Sequence, residues 1–422
     1  MIEKKTSAIR RLSTAATAIV AAASLAACSS DSTAVIGVAS PQSGEAAVWG
    51  GPVDTITRAL VNQLNGLGGI DGVKLKVVTE DEKFNAEDGV RAVTKLINND
   101  DAQFIVGPTS STFMATLGTA ERNNVAIASP YSGIVEFDQK SNPYTFRTVG
   151  PDTFDGLTVA QNIWDQGFRR ISILYENSDS AKSTSRWVEQ AFTNLGGEVV
   201  AETVFSSGQS SYLPEVQATF KKSPDLVFLA STIEAAVPIL REWSRMDVLG
   251  RWSFISELTL PALLEQVGAA PLEGSYGETP VSADSPAVEQ MRELMVEEYS
   301  EQEAEEIMAV PTAATSYDAV VTALLAMYAA DEATGSAVAD NLHTVTDPGG
   351  TPVHSLAEGV AALDDGKTID YQGASGPVDF NDTGTAAADY GVWQVVDGKW
   401  KVVHRYNGDE LFDLADTVNL GE

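Results

Sequence analysis

The chain has 422 residues, 44% hydrophobic and 20% charged, a globular composition that excludes a disordered or collagen-like protein and suggests two or three domains. Asp and Glu number 59 against 27 Lys and Arg, so the net charge of −32 disfavours nucleic acid and anionic membrane surfaces as partners. The single cysteine excludes an intramolecular disulfide, and with only three histidines the chain is a poor candidate for metal or triad chemistry.

The N-terminal segment has the features of a secretory signal. Four basic residues precede an alanine-rich apolar stretch over residues 13–24, which is too short to span a membrane comfortably. The stretch ends in LAAC, which resembles a bacterial lipobox. We predict a signal peptide over residues 1–27, a lipid on Cys28 and a lipidated tether over residues 28–33; the alternative is an incidental thiol. The protein is then extracytoplasmic, held by lipid at the outer face of the cell membrane.

Short apolar runs alternate with segments of helical spacing in the next part of the chain. Strands are predicted over residues 34–39, 73–78, 104–106 and 125–128, and helices over residues 53–64, 86–98 and 112–123. Strands covered on both faces by crossover helices are continuously apolar, as several of these are. The order predicts a parallel sheet between helices.

The same alternation begins again near residues 148–151. Helices are predicted over residues 154–166, 185–195, 213–221 and 235–246, and strands over residues 171–175, 198–205, 226–230 and 252–255. Two long helices, 286–299 and 311–330, lead to a β-hairpin region over 376–380, 390–396 and 399–406, with a turn at Asp397-Gly398. The sequence therefore predicts an α/β protein of two doubly wound parallel-sheet lobes.

The sequence lacks the short motifs that mark common enzymes. It contains no GxGxxG, GxxxxGK[ST], GxSxG or HExxH, and no nucleophile is paired with a base. Its many carboxylates are expected on solvated faces. We therefore predict binding without catalysis, and neither a cofactor nor a metal site.

The loops that follow the predicted strands are the candidate binding sites, because ligands of open α/β sheets bind at the carboxyl ends of strands. Ser110 and Ser111 lie between a strand and a helix, where they either cap the helix or offer donors to a carboxylate. Tyr131, Ser132 and Gly133 follow the next strand and form a second candidate loop.

Further candidates come from the start of the chain and from its second half. Trp49 precedes the first predicted helix, where it either covers an apolar ligand group or packs in the core. Ser180 and Thr232 follow strands of the second half. Glu257 follows the last of those strands, where it either binds an ammonium group or is an ordinary surface acid.

These segments, read in order, resemble the type I periplasmic binding proteins of the leucine/isoleucine/valine-binding branch. The resemblance rests on SPQSG followed by WGG, NGLGGIDG, IVGPTSS, ASPYSG, YTFRTVGPD, TSYDAV and SGPVDF followed by YGVWQVVDGKW. It implies a clamshell whose lobes, 34–148 with 279–375 and 149–278 with 376–422, are joined by three hinge crossings and close over a ligand.

The resemblance also implies partners and roles for three residues. Ser111 matches the serine that binds an amino-acid carboxylate, Trp49 the aromatic residue against the ligand side chain, and Glu257 the glutamate that takes the α-ammonium group. The implied partners are a small amino acid or related carboxylate or amide, an ABC permease and its ATPase subunits. We expect a monomer.

Three positions depart from the family pattern. Gly133 replaces a threonine, Ser180 with its neighbour replaces Tyr-Gly, and Thr232 replaces a tyrosine, which changes the size and polarity of the pocket. We therefore expect a receptor for a small solute, and the ligands open to it include amides, urea and aromatic acids as well as a branched-chain amino acid, because relatives in this branch take such solutes. The alternatives are a ligand sensor that controls a signalling partner and a secreted hydrolase.

Overall fold

The computed structural model describes residues 33–44, 46–246, 250–386 and 388–418. The predicted signal peptide, Cys28 and all of the tether except its last residue lie outside the described residues. That last residue, Thr33, is the first residue of a β-strand.

The first lobe is built on a parallel sheet. Its strands are β1 (Thr33–Ser40), β2 (Lys74–Asp81), β3 (Ala102–Val106), β4 (Ala126–Ser129) and β5 (Thr145–Arg147). Three helices connect the first four strands: α1 (Ala47–Gly66), α2 (Ala86–Asn98) and α3 (Ser110–Asn123). The strand order is β2-β1-β3-β4-β5, so β1 lies inside the sheet and is buried from residue 35 onward, as its apolar sequence requires.

The second lobe repeats this alternation. Its elements are α4 (Asp152–Asp165), β6 (Arg170–Glu176), α5 (Asp179–Asn194), β7 (Glu198–Phe205), α6 (Leu213–Phe220), β8 (Leu226–Ala230), α7 (Ile233–Ser244), β9 (Trp252–Phe254), α8 (Pro261–Val267) and β10 (Tyr276–Pro280). Strands β6 to β10 are parallel where they pair. The sequence missed β5 and β10 because TFR and YGETP contain no apolar run.

The chain then returns to the first lobe and completes its core. This segment forms α9 (Pro286–Glu298), α10 (Glu301–Met308), α11 (Ala313–Ala329), α12 (Gly335–Asn341), β11 (Thr351–Val353), α13 (Leu356–Asp364) and β12 (Ile369–Tyr371). All of α11 except its last two residues is buried. Within α11, Asp318 is buried and accepts hydrogen bonds from the Tyr371 hydroxyl (2.6 Å) and the backbone N–H of Ser375 (2.7 Å).

The C-terminal part returns to the second lobe as β13 (Tyr390–Val396), β14 (Lys399–Tyr406) and α14 (Gly408–Thr417). Both strands run antiparallel and extend the second sheet to the order β14-β13-β10-β9-β8-β6-β7. The predicted turn is confirmed, since Asp397 (φ 54°) and Gly398 (φ 74°) both have the positive φ of a tight hairpin. The strand predicted over 376–380 is wrong: only an isolated bridge between Gln372 and Pro377 forms there.

Three crossings join the lobes, after β5, after β10 and before β13. They lie side by side, because the N–H of Val281 donates to the carbonyl of Asp389 (2.9 Å) and the N–H of Arg147 donates to the carbonyl of Gly384 (2.8 Å). Val378 and Ala386, which the sequence assigned to the second lobe, pack in the core of the first. The third crossing therefore lies after Ala386.

No single helix of the described residues is both long enough and apolar enough to cross a membrane. Helices α10 and α11 reach that length and composition only as a pair, and the pair is bent by 96°.

Candidate functional site

A cavity of about 350 Å³ lies between the two lobes. Its lining comes mainly from residues that directly follow the carboxyl ends of β2, β3, β4, β6, β8 and β9, where ligands of parallel sheets bind. The volume is in the range of small-molecule sites, whereas a macromolecular partner would require an open surface. Seven of the nine predicted ligand-binding residues line this cavity: Trp49, Ser110, Ser111, Tyr131, Ser180, Thr232 and Glu257.

The start of α3 forms the polar part of the first-lobe wall. Thr109 is the residue at the N-cap, so Ser110 and Ser111 are the first helical residues rather than caps. The Ser111 hydroxyl donates to the carboxylate of Asp179 on the second lobe (3.0 Å), a hydrogen bond that crosses the cleft. Behind this wall, Glu82 accepts the backbone N–H of Thr109 (3.1 Å). Burial raises the pKa of Glu82 to about 7.

Three aromatic rings form the apolar part of the same wall. Trp49 contacts Tyr131 and Phe84 edge to face, with ring centroids 5.0 Å and 5.4 Å apart. Trp49 lies in the first turn of α1 and not in a loop before it, because the helix continues through the Gly-Gly-Pro segment after Trp49. Lys83 (φ 54°) and Phe84 (φ 53°) are both left-handed, a strained turn for bulky residues that puts Phe84 at the cavity.

The second-lobe wall is polar and acidic. The carboxylate of Glu257 accepts the hydroxyls of Ser180 (2.8 Å) and Ser256 (3.3 Å), so it is oriented from two sides. Thr232 donates both its backbone N–H (2.9 Å) and its hydroxyl (3.0 Å) to Glu176. The Thr232 hydroxyl is therefore committed to Glu176 and can only accept from a ligand.

Ser132 and Gly133 do not line the cavity. The Ser132 carbonyl accepts from Nη1 of Arg147 (3.2 Å), and the Gly133 carbonyl accepts the N–H of Asp152 (2.6 Å). A Cβ on Gly133 would lie 2.1 Å from Oδ1 of Asp152. The loop thus turns toward the hinge after Tyr131, and the prediction that all three of its residues face a ligand is corrected to Tyr131 alone.

Asp155, Tyr390 and Asp179 line the cavity although the sequence analysis did not select them. Asp155 had a local signal, since it is an acid within the largely apolar segment FDGLTVA. Tyr390 had none: it reaches the cleft because β13 pairs with β10, a contact between distant parts of the chain.

Asp155 belongs to a group of acids with altered ionisation. Burial raises the pKa of Asp155 well above its ordinary value, with added repulsion from Glu278, Asp152 and Glu257. Burial, together with the charge of Glu257, raises the pKa of Glu278 to about 8. Burial also raises the pKa of Asp152 to about 6. These carboxyl groups therefore hold protons more firmly than carboxyl groups in water do.

No set of three or more His, Cys, Asp and Glu side chains in the described part of the chain is arranged to bind a metal ion. The hydroxyls of Ser111 and Ser180 in the lining donate to the carboxylates of Asp179 and Glu257. The geometry is that of a site that encloses a small polar solute.

Comparison with known proteins agrees with this geometry. A family model described as periplasmic binding protein matches residues 33–399. The leucine-specific-binding protein of Salmonella typhimurium is 23% identical over 209 residues, which cover 49% of this chain and 56% of that protein. The match thus spans little more than half the length of that relative.

Two solved structures show the same fold. The branched-chain amino acid transporter substrate binding protein of Streptococcus pneumoniae, in complex with isoleucine, aligns over 89% of this chain and 99% of its own with a TM-score of 0.73 and 19% identity. An ABC transporter solute binding protein from R. palustris, in complex with 4-hydroxybenzoate, aligns over 91% and 100% with a TM-score of 0.73 and 16% identity. The fold therefore accommodates chemically different ligands.

Proposed function

The chain belongs to the periplasmic binding protein family, and from that premise we propose that it is the extracytoplasmic solute receptor of an ABC importer. The observation that carries the proposal is the cavity between the lobes, lined from both sides by polar loops at strand ends. A lipid on Cys28 would keep the receptor at the membrane beside its permease and ATPase subunits. We propose that it acts as a monomer.

The proposed ligand is a small amino acid or a related carboxylate or amide. Glu257, oriented by Ser180 and Ser256, would accept an ammonium group. The first turn of α3, with the backbone N–H groups of Ser110 and Ser111, would hold a carboxylate or a carbonyl oxygen. Trp49 would pack against the rest of the solute.

The hydrogen bond between Ser111 and Asp179 joins the two lobes across the cleft. The Ser111 hydroxyl donates to Asp179 in this structure, and in the proposed complex a ligand oxygen accepts from it instead. A ligand that accepts the Ser111 hydroxyl must replace Asp179 as its partner. The ligand shifts the equilibrium toward the closed state only by the difference between its binding free energies for the closed and the open state. The proposed receptor is thus a two-state clamshell whose equilibrium the solute shifts.

Calorimetry and thermal unfolding with a panel of amino acids, amides, urea and small carboxylates test this proposal. A specific ligand raises the apparent stability by mass action. Glu257→Gln should weaken its binding by about 1–3 kcal/mol because a charged hydrogen bond is lost. Glu121→Gln, the same change at an exposed acid on α3, is the control.

The proposal fails if no solute binds, or if Glu257→Gln and Trp49→Ala both leave the affinity of a bound solute unchanged. Turnover of the solute would instead favour the hydrolase alternative, because a receptor returns its ligand intact.

A further inference from the structure

The second-lobe wall of the cavity holds more carboxyl groups than one ammonium group would pair with. Asp155 and Glu257 line the cavity there, and Glu278 lies behind them. No lysine, arginine or histidine is among the described residues that line the cavity. A zwitterionic ligand brings one negative group for each positive group, so it would leave this excess in place.

The polar groups beside Asp155 have no partner of ordinary hydrogen-bond geometry. Tyr390 lines the cavity, is fully buried, and its hydroxyl has none. Glu278 is 1% exposed, and neither of its carboxyl oxygens has one. Buried polar groups in folded proteins are nearly always hydrogen-bonded, and exceptions call for an explanation. Tyr390 and Glu278 both interact with Asp155, and Glu278 also with the backbone N–H of Ser256. None of these contacts has good hydrogen-bond geometry, so the oxygens retain the capacity to accept from a donor that the ligand supplies.

The cation near this group, among the described residues, is Arg147, and most of its donors are already engaged. Arg147 acts on Asp152 and Tyr390 through its charge, but its Nη2 pairs with Asp138 (2.9 Å) and its Nε donates to Thr385 (2.8 Å). Its Nη1 donates to two backbone carbonyls. Four of the five guanidinium N–H groups are therefore engaged with groups other than Asp155 and Glu278.

The opposite wall is suited to the same kind of ligand. Trp49, Tyr131 and Phe84 meet edge to face, and aromatic faces attract organic cations. A carboxylate wall and an aromatic wall thus flank one cavity of about 350 Å³. The two walls come from different lobes, so both contact the ligand only when the cleft is closed.

We propose that the solute carries net positive charge, and that Asp155, with Glu278 and Tyr390, forms a second cation subsite beside Glu257. The inference rests on the proposed receptor function and specifies its ligand as a compact organic cation with a primary ammonium or guanidinium group. Asp155 and the Tyr390 oxygen accept its N–H groups. Such a cation comes either from a basic amino acid or from a diamine that lacks a carboxylate.

The empty subsite tolerates its own charge by retaining protons, which gives the proposal a direct readout. The groups that face Asp155 are Asp152, Glu257 and Glu278, which repel its charge, and Tyr390. A bound cation stabilises the charged carboxylates, so it lowers their pKa values and releases their protons. Calorimetry of the same titration in two buffers of different ionisation enthalpy should therefore show proton release near pH 7, which a neutral ligand would not cause.

Matched ligand pairs test the charge of the solute. The probes are lysine against norleucine, cadaverine against pentylamine and arginine against citrulline; agmatine is added as the counterpart of arginine that lacks the carboxylate. At least one of the dications or basic amino acids should bind at least tenfold more tightly than its partner that lacks the second charge. The amino acids and the carboxylate-free amines distinguish the two sources of the cation.

Asp155→Asn is the matching protein variant. It should weaken binding of the cation roughly tenfold to a hundredfold, while binding of the less charged partner changes little. Asp165→Asn, an exposed acid on the same helix, should change neither. Because Asp155→Asn removes repulsion among buried acids, we expect the variant to fold, and thermal unfolding verifies this.

Two results would overturn the inference. The first is that norleucine or leucine binds at least as tightly as every cation, and that Asp155→Asn and Asp165→Asn have the same effect on binding. This result rejects the cation subsite but is compatible with the proposed solute receptor. Absence of binding by any cation at millimolar concentration also rejects the subsite. The receptor proposal fails separately, when neutral, anionic and cationic solutes all leave the unfolding temperature unchanged.

Discussion

Arg147→Met tests whether the first hinge crossing depends on one buried guanidinium. Arg147 ends β5 and is fully buried. Its Nη1 donates to the carbonyls of Ile134 (2.9 Å) and Ser132 (3.2 Å), its Nε to the Thr385 hydroxyl (2.8 Å), and its Nη2 pairs with Asp138 (2.9 Å). The side chain thus connects β5, the loop after β4 and the segment before β13.

The expected loss follows from these contacts. The two carbonyls would be left buried without a donor, and the Thr385 hydroxyl would lose its donor, at about 1 kcal/mol each. The pair with Asp138 adds at most about 1 kcal/mol because the Asp138 side chain is 35% exposed. The sum of about 3–4 kcal/mol agrees with the usual cost of breaking a buried pair, about 3–5 kcal/mol. Methionine fills the volume, so a cavity contributes little.

Urea unfolding of the variant, followed by tryptophan fluorescence and circular dichroism, measures the loss. Arg122→Met is the control, since Arg122 is exposed and donates to Thr119 on its own helix (3.0 Å). A free energy of unfolding within about 0.5 kcal/mol of the parent protein for Arg147→Met would refute the reasoning. If the two lobes unfold separately, only the urea midpoint of the first lobe, which contains Arg147, should be lowered.

Three further outcomes are expected. Trp49→Ala should weaken the binding of every cleft ligand by about 1–2 kcal/mol, because a large apolar contact is lost. Val48→Ala, at the exposed neighbouring residue, should leave the binding unchanged, and isothermal titration calorimetry measures both affinities. The unfolding temperature of the ligand-free protein should decrease as the pH rises from 5 to 8, because folded Glu278, whose pKa is raised to about 8, keeps a proton that the unfolded carboxyl group, with a pKa of 4.5, has released. Glu278→Gln should reduce this decrease in unfolding temperature, and an equal decrease in the variant and the parent protein would contradict the prediction. Asp318→Asn should lower the free energy of unfolding in urea by about 3 kcal/mol, because the amide NH₂ cannot accept the backbone N–H groups that Asp318 accepts. Asp340→Asn, at an exposed position, should leave the free energy of unfolding unchanged.

The alternation of strands and helices can be predicted from the sequence, because hydrophobic periodicity is a property of neighbouring residues. The strands over 198–205, 226–230, 390–396 and 399–406 begin and end where the pattern predicts. It also located most of the cleft, since polar loops that follow parallel strands must meet at one edge of the sheet. Seven candidate residues reached the cavity on that argument.

Which loop residues face the cavity, and which charged groups meet there, depends on contacts between distant parts of the chain. Gly133 and Tyr131 belong to the same loop, yet hydrogen bonds to the hinge turn one away and leave the other at the ligand side. Asp155, Glu278 and Tyr390 come from three distant segments, and pairing of β13 with β10 brings the last two onto adjacent strands beside α4. Their shared burial raises the pKa of each carboxyl group, an effect of long-range packing that no local pattern encodes.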